Sequence, residues 1–520
     1  MSFAGGSISR MSPELWLEIL DYFVPSDAPT TVPIQSSKVE LRPHVLEYRR
    51  TLWDACLVSR HLGASARIRL YEAILINNCK ELLYLFRTLR TVPELRTLVR
   101  SFSWTGTFPQ SDEDDTECVD LMPCLVAVFT SLPPPVTEED ALLHEFLQAG
   151  NLTAFRAWRL LSVVLAIIPR VTTLFLALGR LMPGPRHQQW LIDVELGGGG
   201  TPEEREDLFR FRQTAYESEA TRALLWDPLL KSIGYPLLPE LRVLILDHIS
   251  NSAPTFPAFD IGDIINHITK LCPRLRYIQT KDCISLSFYN YPTRSASMKS
   301  LLVRKQLQLL STLPLFQEYY PNLTSLRLVA AKAHGENIDA FAALPKLRHL
   351  QYLSLTNPHH LTWFNPHELL TMSRYLRGME SLQHLRIDFI FLVPKSDPGL
   401  LLRLASLLPP SIRSLHLLDY WGISMTSTDR DRHPVFPDNK SAAEFMRLML
   451  ENLLQGYSSM GLASLRKVKL SSGEYAKDCT GTRESLKKLI WEFSRAGICL
   501  TVTGHEEARE EEEQWWLNLD

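Results

Sequence analysis

Apolar residues along this chain fall in short bursts of period two, set between longer stretches of helical spacing. From about residue 90 onward one arrangement recurs: a polar or proline-bearing approach, then L-x-x-L-x-L or a close variant. Seven copies start at Leu241, Leu275, Leu323, Leu350, Leu382, Ile412 and Leu465, and an earlier one runs from Val171 to Leu176. Leu95 and Leu98 fit the pattern loosely, and the apolar run at 498–502 reads as a closing strand. The L-x-L alternation predicts a short strand whose alternate side chains point to one face. Helical patterns lie between these strands, at 261–271, 366–377, 441–454 and 483–496.

A single strand with its helix cannot bury its apolar face, but stacked copies can. Strand-then-helix repetition of this kind resembles the leucine-rich-repeat solenoid. The spacing departs from that family: from first leucine to first leucine it runs 34, 48, 27, 32, 30 and 53 residues, against about 20–29 in regular repeats. The family's Asn or Cys eight positions after that leucine occurs once, as Cys283. The expected fold class is therefore α/β: a small N-terminal helical module at 1–80, then a degenerate, helix-rich leucine-rich-repeat solenoid at 81–504. Residues 505–520 are expected to form an acidic tail, helical or disordered, or a docked cap that packs Trp515 and Trp516 on the last repeat. A generic α/β domain in which the leucines are simply core is the alternative.

The N-terminal segment has its own logic. In Met11-Ser12-Pro13-Glu14-Leu15-Trp16-Leu17-Glu18-Ile19-Leu20, Ser12 is placed to cap a helix and Pro13 suits its first turn. After a stretch at 25–50 comes a second helix containing Leu57-Val58-Ser59-Arg60. A third follows from about Leu62 to Tyr71, ahead of an apolar strand at Ile74-Leu75-Ile76. P-E-L-x-x-E-I-L, then L-V-S-R, then A-R-x-R-L-Y before that strand resembles an F-box, in the arrangement of the fungal F-box/leucine-rich-repeat proteins. The resemblance implies docking on the Skp-type adaptor of a cullin-RING ubiquitin ligase, with the repeats as substrate receptor. Pro13, Leu15, Ile19, Leu20, Leu57 and Val58 would face the adaptor or support that face. In this sequence Met11-Ser12 replaces the leucine often found before the proline, and the 25–50 stretch is longer than the usual connection. These leucines forming an ordinary three-helix core is the alternative.

Composition narrows the classes further. Hydrophobic residues are 45% of the 520 and charged ones 22%, enough apolar area for sizeable cores. Lys+Arg (55) nearly balances Asp+Glu (58), which removes the basic excess of a nucleic-acid binder. The eight cysteines show no metal-like spacing and read as reduced core thiols of a cytoplasmic or nuclear protein. The stretch from Leu160 to Leu178 is interrupted by Pro169-Arg170, and its first part, Leu160 to Ile168, is too short to cross a bilayer. No phosphate loop, dinucleotide fingerprint or H-E-x-x-H occurs, and no cofactor is expected. Gly456-Tyr-Ser-Ser-Met-Gly461 is one residue too long for a nucleophile elbow and reads as a loop. His359-His360 and His367 read as surface histidines, and the acidic run 111–117 as a solvated loop.

In a leucine-rich repeat the x positions face the concave side. Of the 21 such positions in the seven copies, eight are basic where chance composition gives about two, and none is acidic. Arg276, Arg327, Arg386, Arg413, Lys467 and Lys469, with Tyr277, Tyr352, His384 and His416, form the expected substrate face. It would prefer an acidic or phosphorylated protein segment. Arginine that merely solubilises an exposed strand is the competing explanation. Two functional classes result: a non-catalytic, substrate-recruiting subunit of an SCF-type ligase, and a leucine-rich-repeat interaction scaffold without a ligase role.

Overall fold

The computed structural model describes residues 12–22, 43–58, 60–77, 79–105, 157–177, 238–247, 268–269, 272–281, 294–304, 316–329, 338–356, 373–392, 402–419, 439–472 and 480–503. The architecture is mixed α/β with parallel strands. The chain divides into two compact units, Met1–Phe256 with Ile264–Leu275 and Pro257–Asp263 with Arg276–Asp520.

The first unit opens with three helices: α1 (Pro13–Tyr22), α2 (Pro43–Val58) and α3 (Arg60–Glu72). Ser12 caps α1, its Oγ accepting the Leu15 N–H at 3.3 Å. Helix α2 begins at Pro43, so the connection expected over 25–50 ends earlier, and residues 43–50 are helical. Proline at a helix start costs nothing because its missing N–H has no intrahelical partner there. Leu20, Leu52, Ala55 and Ala66 form the core of the three helices, with Cys56, Leu62 and Leu70 packed around it. Gly63 lets α3 approach α2, since a Cβ there would lie 2.8 Å from the Cys56 carbonyl oxygen.

Strand β1 (Ala73–Ile76) follows α3 directly and pairs in parallel with β2 (Ser101–Trp104), so it joins the strand array. Between them run α4 (Cys79–Thr91) and a 3-10 turn at Pro93–Thr97. Leu95 sits in that turn and Leu98 closes it, so the strand of this repeat is β2, whose Phe102 and Trp104 are fully buried. Helix α5 (Ala157–Ile167), β3 (Thr173–Ala177) and β4 (Val243–Asp247) continue the unit. β2, β3 and β4 pair in parallel and in chain order. No described helix is long and apolar enough to cross a membrane.

Among the described residues the second unit carries eight parallel strands in chain order: β5 (Tyr277–Lys281), β6 (Ser300–Arg304), β7 (Ser325–Val329), β8 (Tyr352–Thr356), β9 (His384–Asp388), β10 (Ser414–Asp419), β11 (Lys467–Ser472) and β12 (Cys499–Thr503). Strand β6 fills the 48-residue gap of the pattern: Met298, Leu301 and Val303 form an M-x-x-L-x-V variant that splits it into 23 and 25 residues. The helices α6 (Asn439–Ser459) and α7 (Thr480–Arg495) pack against each other, and α7 packs on β12. Helix α6 outruns the pattern at 441–454 at both ends, whereas α7 starts before the pattern at 483–496 and ends at Arg495. Residues 456–459 are therefore the end of α6 and not a loop, with Gly461 beyond it at φ +75°.

A turn explains the P-x-L entry. The N–H of the first leucine donates to the carbonyl three residues back, as in Leu241 to Leu238, Leu275 to Cys272 and Leu323 to Tyr320. Proline fits the second position of such a turn because its φ is preset, and Pro239, Pro273 and Pro321 occupy it. The next two N–H groups then converge on one carbonyl of the preceding repeat: Thr324 and Ser325 on Lys299, Gln351 and Tyr352 on Thr324, Gln383 and His384 on Gln351. The inward leucines bury completely. Leu326, Leu353, Leu385, Leu415 and Val468 share one row, each contributing about 1.5–3 kcal/mol of hydrophobic stabilisation.

Candidate functional site

Two surfaces draw together residues with a chemical use, one in each unit. The first lies on the three-helix module. Helix α2 has one side in the core through Leu52 and Ala55, while its other side leaves Trp53, Leu57 and Val58 at 58%, 74% and 73% exposure. Leu15 of α1 is 47% exposed. A module this small does not ordinarily leave four large apolar side chains in water. Leu20 is in the core and Ile19 is half-buried, so both support the surface from within. Pro13 opens α1, and its side chain lies outside the described set.

Trp53 was missed from the sequence although it stands one helical turn before Leu57. Its signal, the i, i+4 spacing to Leu57 within the second helix, was already present in the sequence. The module is tied to the first strand by Arg49, whose Nη1 donates to the Ala73 carbonyl at 2.8 Å.

The second surface is the face of β5–β12 opposite the leucines. Register aligns Tyr277, Ser300, Ser325, Tyr352, His384, Ser414, Lys467 and Cys499 in one row. The neighbouring row runs Gln279, Leu302, Arg327, Ser354, Arg386, His416, Lys469 and Thr501. Eight of the ten expected substrate-binding residues thus fall in two adjacent rows of one face. Arg276 and Arg413, the other two, are exposed in the turns that lead into β5 and β10.

Exposure differs sharply within the set. Lys467 is exposed, while Tyr277, Tyr352, His384 and His416 are half-buried. Arg327, Arg386 and Lys469 are only 4–5% exposed, so they do not serve to solubilise the strands. Tyr352 and His384 meet at 6.3 Å between ring centroids. His416 Nε2 lies 2.8 Å from Ser471 Oγ, which is 2.9 Å from Thr503 Oγ1, a polar line crossing three strands.

Burial, with Arg386, Lys469 and Lys467 nearby, pushes the His416 imidazole down to about 2, so it is neutral. His384 is lowered for the same reasons, burial first and then Arg413. Asp388, two residues past Arg386 on the same face, is also buried. Reading only the three x positions overlooked it.

Among the described residues no group of His, Cys, Asp and Glu is placed to hold a metal ion. Cys56, Cys272 and Cys499 are free thiols, and burial pushes that of Cys272 up to about 12. Cys283, His359, His360, His367, the acidic run 111–117 and the tail with Trp515 and Trp516 lie outside the described residues. Comparison with protein-family models and with curated proteins finds no match to this chain.

Proposed function

We propose that this chain is the substrate-recruiting subunit of an SCF-type cullin-RING ubiquitin ligase. The three-helix module would act as an F-box that docks on the Skp-type adaptor, and through it on the cullin scaffold. The leucine-rich strand array would bind the substrate protein. The observation that carries this reading is the apolar surface of Leu15, Trp53, Leu57 and Val58, exposed on a module whose own core is complete without them. An adaptor helix laid on that surface would bury what water now wets. The chain would perform no chemistry; it would supply proximity and orientation while its partners transfer ubiquitin. The basic, aromatic-bordered face of β5–β12 fits an acidic or phosphorylated protein segment. A cytoplasmic or nuclear location accompanies the role.

The test is capture of the Skp-type adaptor by the intact chain and by the Leu15→Asp, Leu57→Asp variant. Both side chains are exposed, so the variant keeps its fold and loses the adaptor. An intact chain that captures no adaptor overturns the ligase reading and leaves an interaction scaffold.

A further inference from the structure

The last helix of the array carries an outer stripe that its own fold does not use. On α7, Lys487, Ile490, Trp491 and Ser494 fall at i, i+3, i+4 and i+7, which places them on one side of the helix. All four are exposed, Ile490 at 38% and Trp491 at 58%. Leu489 and Phe493, on the opposite side, are sealed in the core, so α7 is anchored without the stripe. Arg495 stacks its guanidinium over the Trp491 ring at 4.8 Å, and exposed Lys488 pairs with Glu492 at 3.8 Å. Among the described residues α7 packs on α6 and β12, and neither covers Ile490 or Trp491. The outcome is an apolar pair bordered by Lys487, Lys488 and Arg495.

The chain itself holds a segment of matching chemistry. Residues 505–520 lie outside the described set, and their sequence has six glutamates, at 506, 507 and 510–513, against one arginine, Arg509. Trp515-Trp516-Leu517 follow directly. Acid next to aromatic complements a stripe of base next to aromatic. Position agrees with chemistry. Strand β12 begins at Cys499, just after α7 ends at Arg495, and packs on it, so the strand runs back along the helix. Its rise of about 13–16 Å matches roughly nine to eleven helical residues, which brings Thr503 level with the first half of α7. The 12 residues from Thr503 to Trp515 can extend over about 40 Å, whereas the whole of α7 is about 24 Å long.

We propose that the outer stripe of α7 is the docking site of the chain's own segment 506–517. Trp515 and Trp516 pack against Ile490 and Trp491, while the glutamates face Lys487, Lys488 and Arg495. Exposed ion pairs contribute little by themselves, so the tryptophans carry the contact and the charges set its direction. The tether to β12 makes the contact intramolecular, at an effective concentration on the order of millimolar, so a surface of modest affinity suffices. Docked there, the segment shields the one large exposed aromatic of α7 from water and from other proteins. The contact requires no adaptor and stands apart from the ligase reading.

The experiment treats the full chain with a carbodiimide, which joins lysine amines to carboxylates in direct contact, and reads the linked peptides by mass spectrometry. The pair Lys488 and Glu492 supplies an internal standard. Lys487 or Lys488 should also be joined to a glutamate of 506–513. Trp491→Ala should lower that yield at least fivefold. So should the Trp515→Ala, Trp516→Ala pair, which alters no residue of the described fold. Trypsin should cut after Arg509 at least fivefold faster in each variant than in the natural chain. A mixture of 15N-labelled and natural chains separates two occupants. Links within one isotope class place the segment on its own chain, whereas links between classes assign the stripe to a second copy and overturn the proposal. The standard formed without any link to the segment overturns it too. A link that survives unchanged in Trp491→Ala does the same, because it marks attraction between charges alone. Adaptor capture, measured separately, reports on the ligase reading alone.

Discussion

Gly456→Ala should destabilise the second unit even though alanine is the better helix former. Gly456 lies in α6 where that helix packs on the single helical turn Leu404–Leu407. A Cβ at position 456 would fall within 3.0 Å of the Ala405 Cβ, a separation real side chains essentially never show. Ordinary carbon contacts need about 3.5–4.0 Å, so the two segments must part by at least about half an ångström. Little there can give, since Leu404, Ala405 and Leu453 are all buried.

Alanine would bring about 1 kcal/mol of helix propensity, against an overpacking cost of about 1–3 kcal/mol that this geometry places at its upper end. The expected net loss is therefore about 1–2 kcal/mol. Ala405→Gly moves the relief to the other side of the contact. The double variant, with the methyl transferred to α6, should return to within about 1 kcal/mol of the natural chain, a coupling of about 2 kcal/mol. Urea unfolding followed by far-UV circular dichroism reads the midpoint of each variant at constant slope. A Gly456→Ala chain that is more stable than the natural one, or a double variant that is simply additive, would refute the packing argument.

Three further expectations can be checked directly. Gly63→Ala pushes a methyl against the Cys56 carbonyl oxygen and should cost about 1–3 kcal/mol. Hydrogen exchange should accelerate in α2 and α3 and leave β7–β10 unchanged. His416 is neutral in the fold down to about pH 2, whereas an unfolded histidine takes a proton near pH 6.5. Between those values the unfolded state binds more protons, so stability should fall as pH drops below about 6.5, by at most about 1.4 kcal/mol per pH unit from this group. His416→Gln should flatten that slope in urea midpoints measured from pH 7 to 5. Iodoacetamide at pH 8 should label exposed Cys499 and spare buried Cys272 until urea is added. Mass spectrometry that finds Cys272 labelled in the native chain would contradict its burial.

Most strands were legible because the leucine pattern is enforced by burial. Position 4 of each repeat, from Leu326 to Val468, is sealed in the core, and only apolar side chains survive there. β6 and β2 escaped notice because Met298 and the aromatic pair Phe102 and Trp104 meet the same demand with other shapes. The start of α2 was also written in the chain, as Pro43 followed by Val45 and Tyr48 at helical spacing to Leu52. Leu20 and Leu57 look alike in sequence, and only packing separates the core residue from the exposed one. The basic face was legible as a row. Periodicity says which way Arg327 and Arg386 turn, while their burial depends on three dimensions.

In each unit, every described strand pairs with the repeats next to it in the chain, and the two converging N–H bonds at each strand entry reach back one repeat only. Nearest-neighbour wiring of this kind makes a protein behave mechanically as a line of links. The length of chain between links is then free to vary, which is how spans of 23 and 53 residues coexist in one array. It also fixes the order of failure under load. Pulled from residue 503, the second unit should release β12, then β11, then β10, each as a separate force peak, with a long extension after β11 as α6 and its flanking chain pay out.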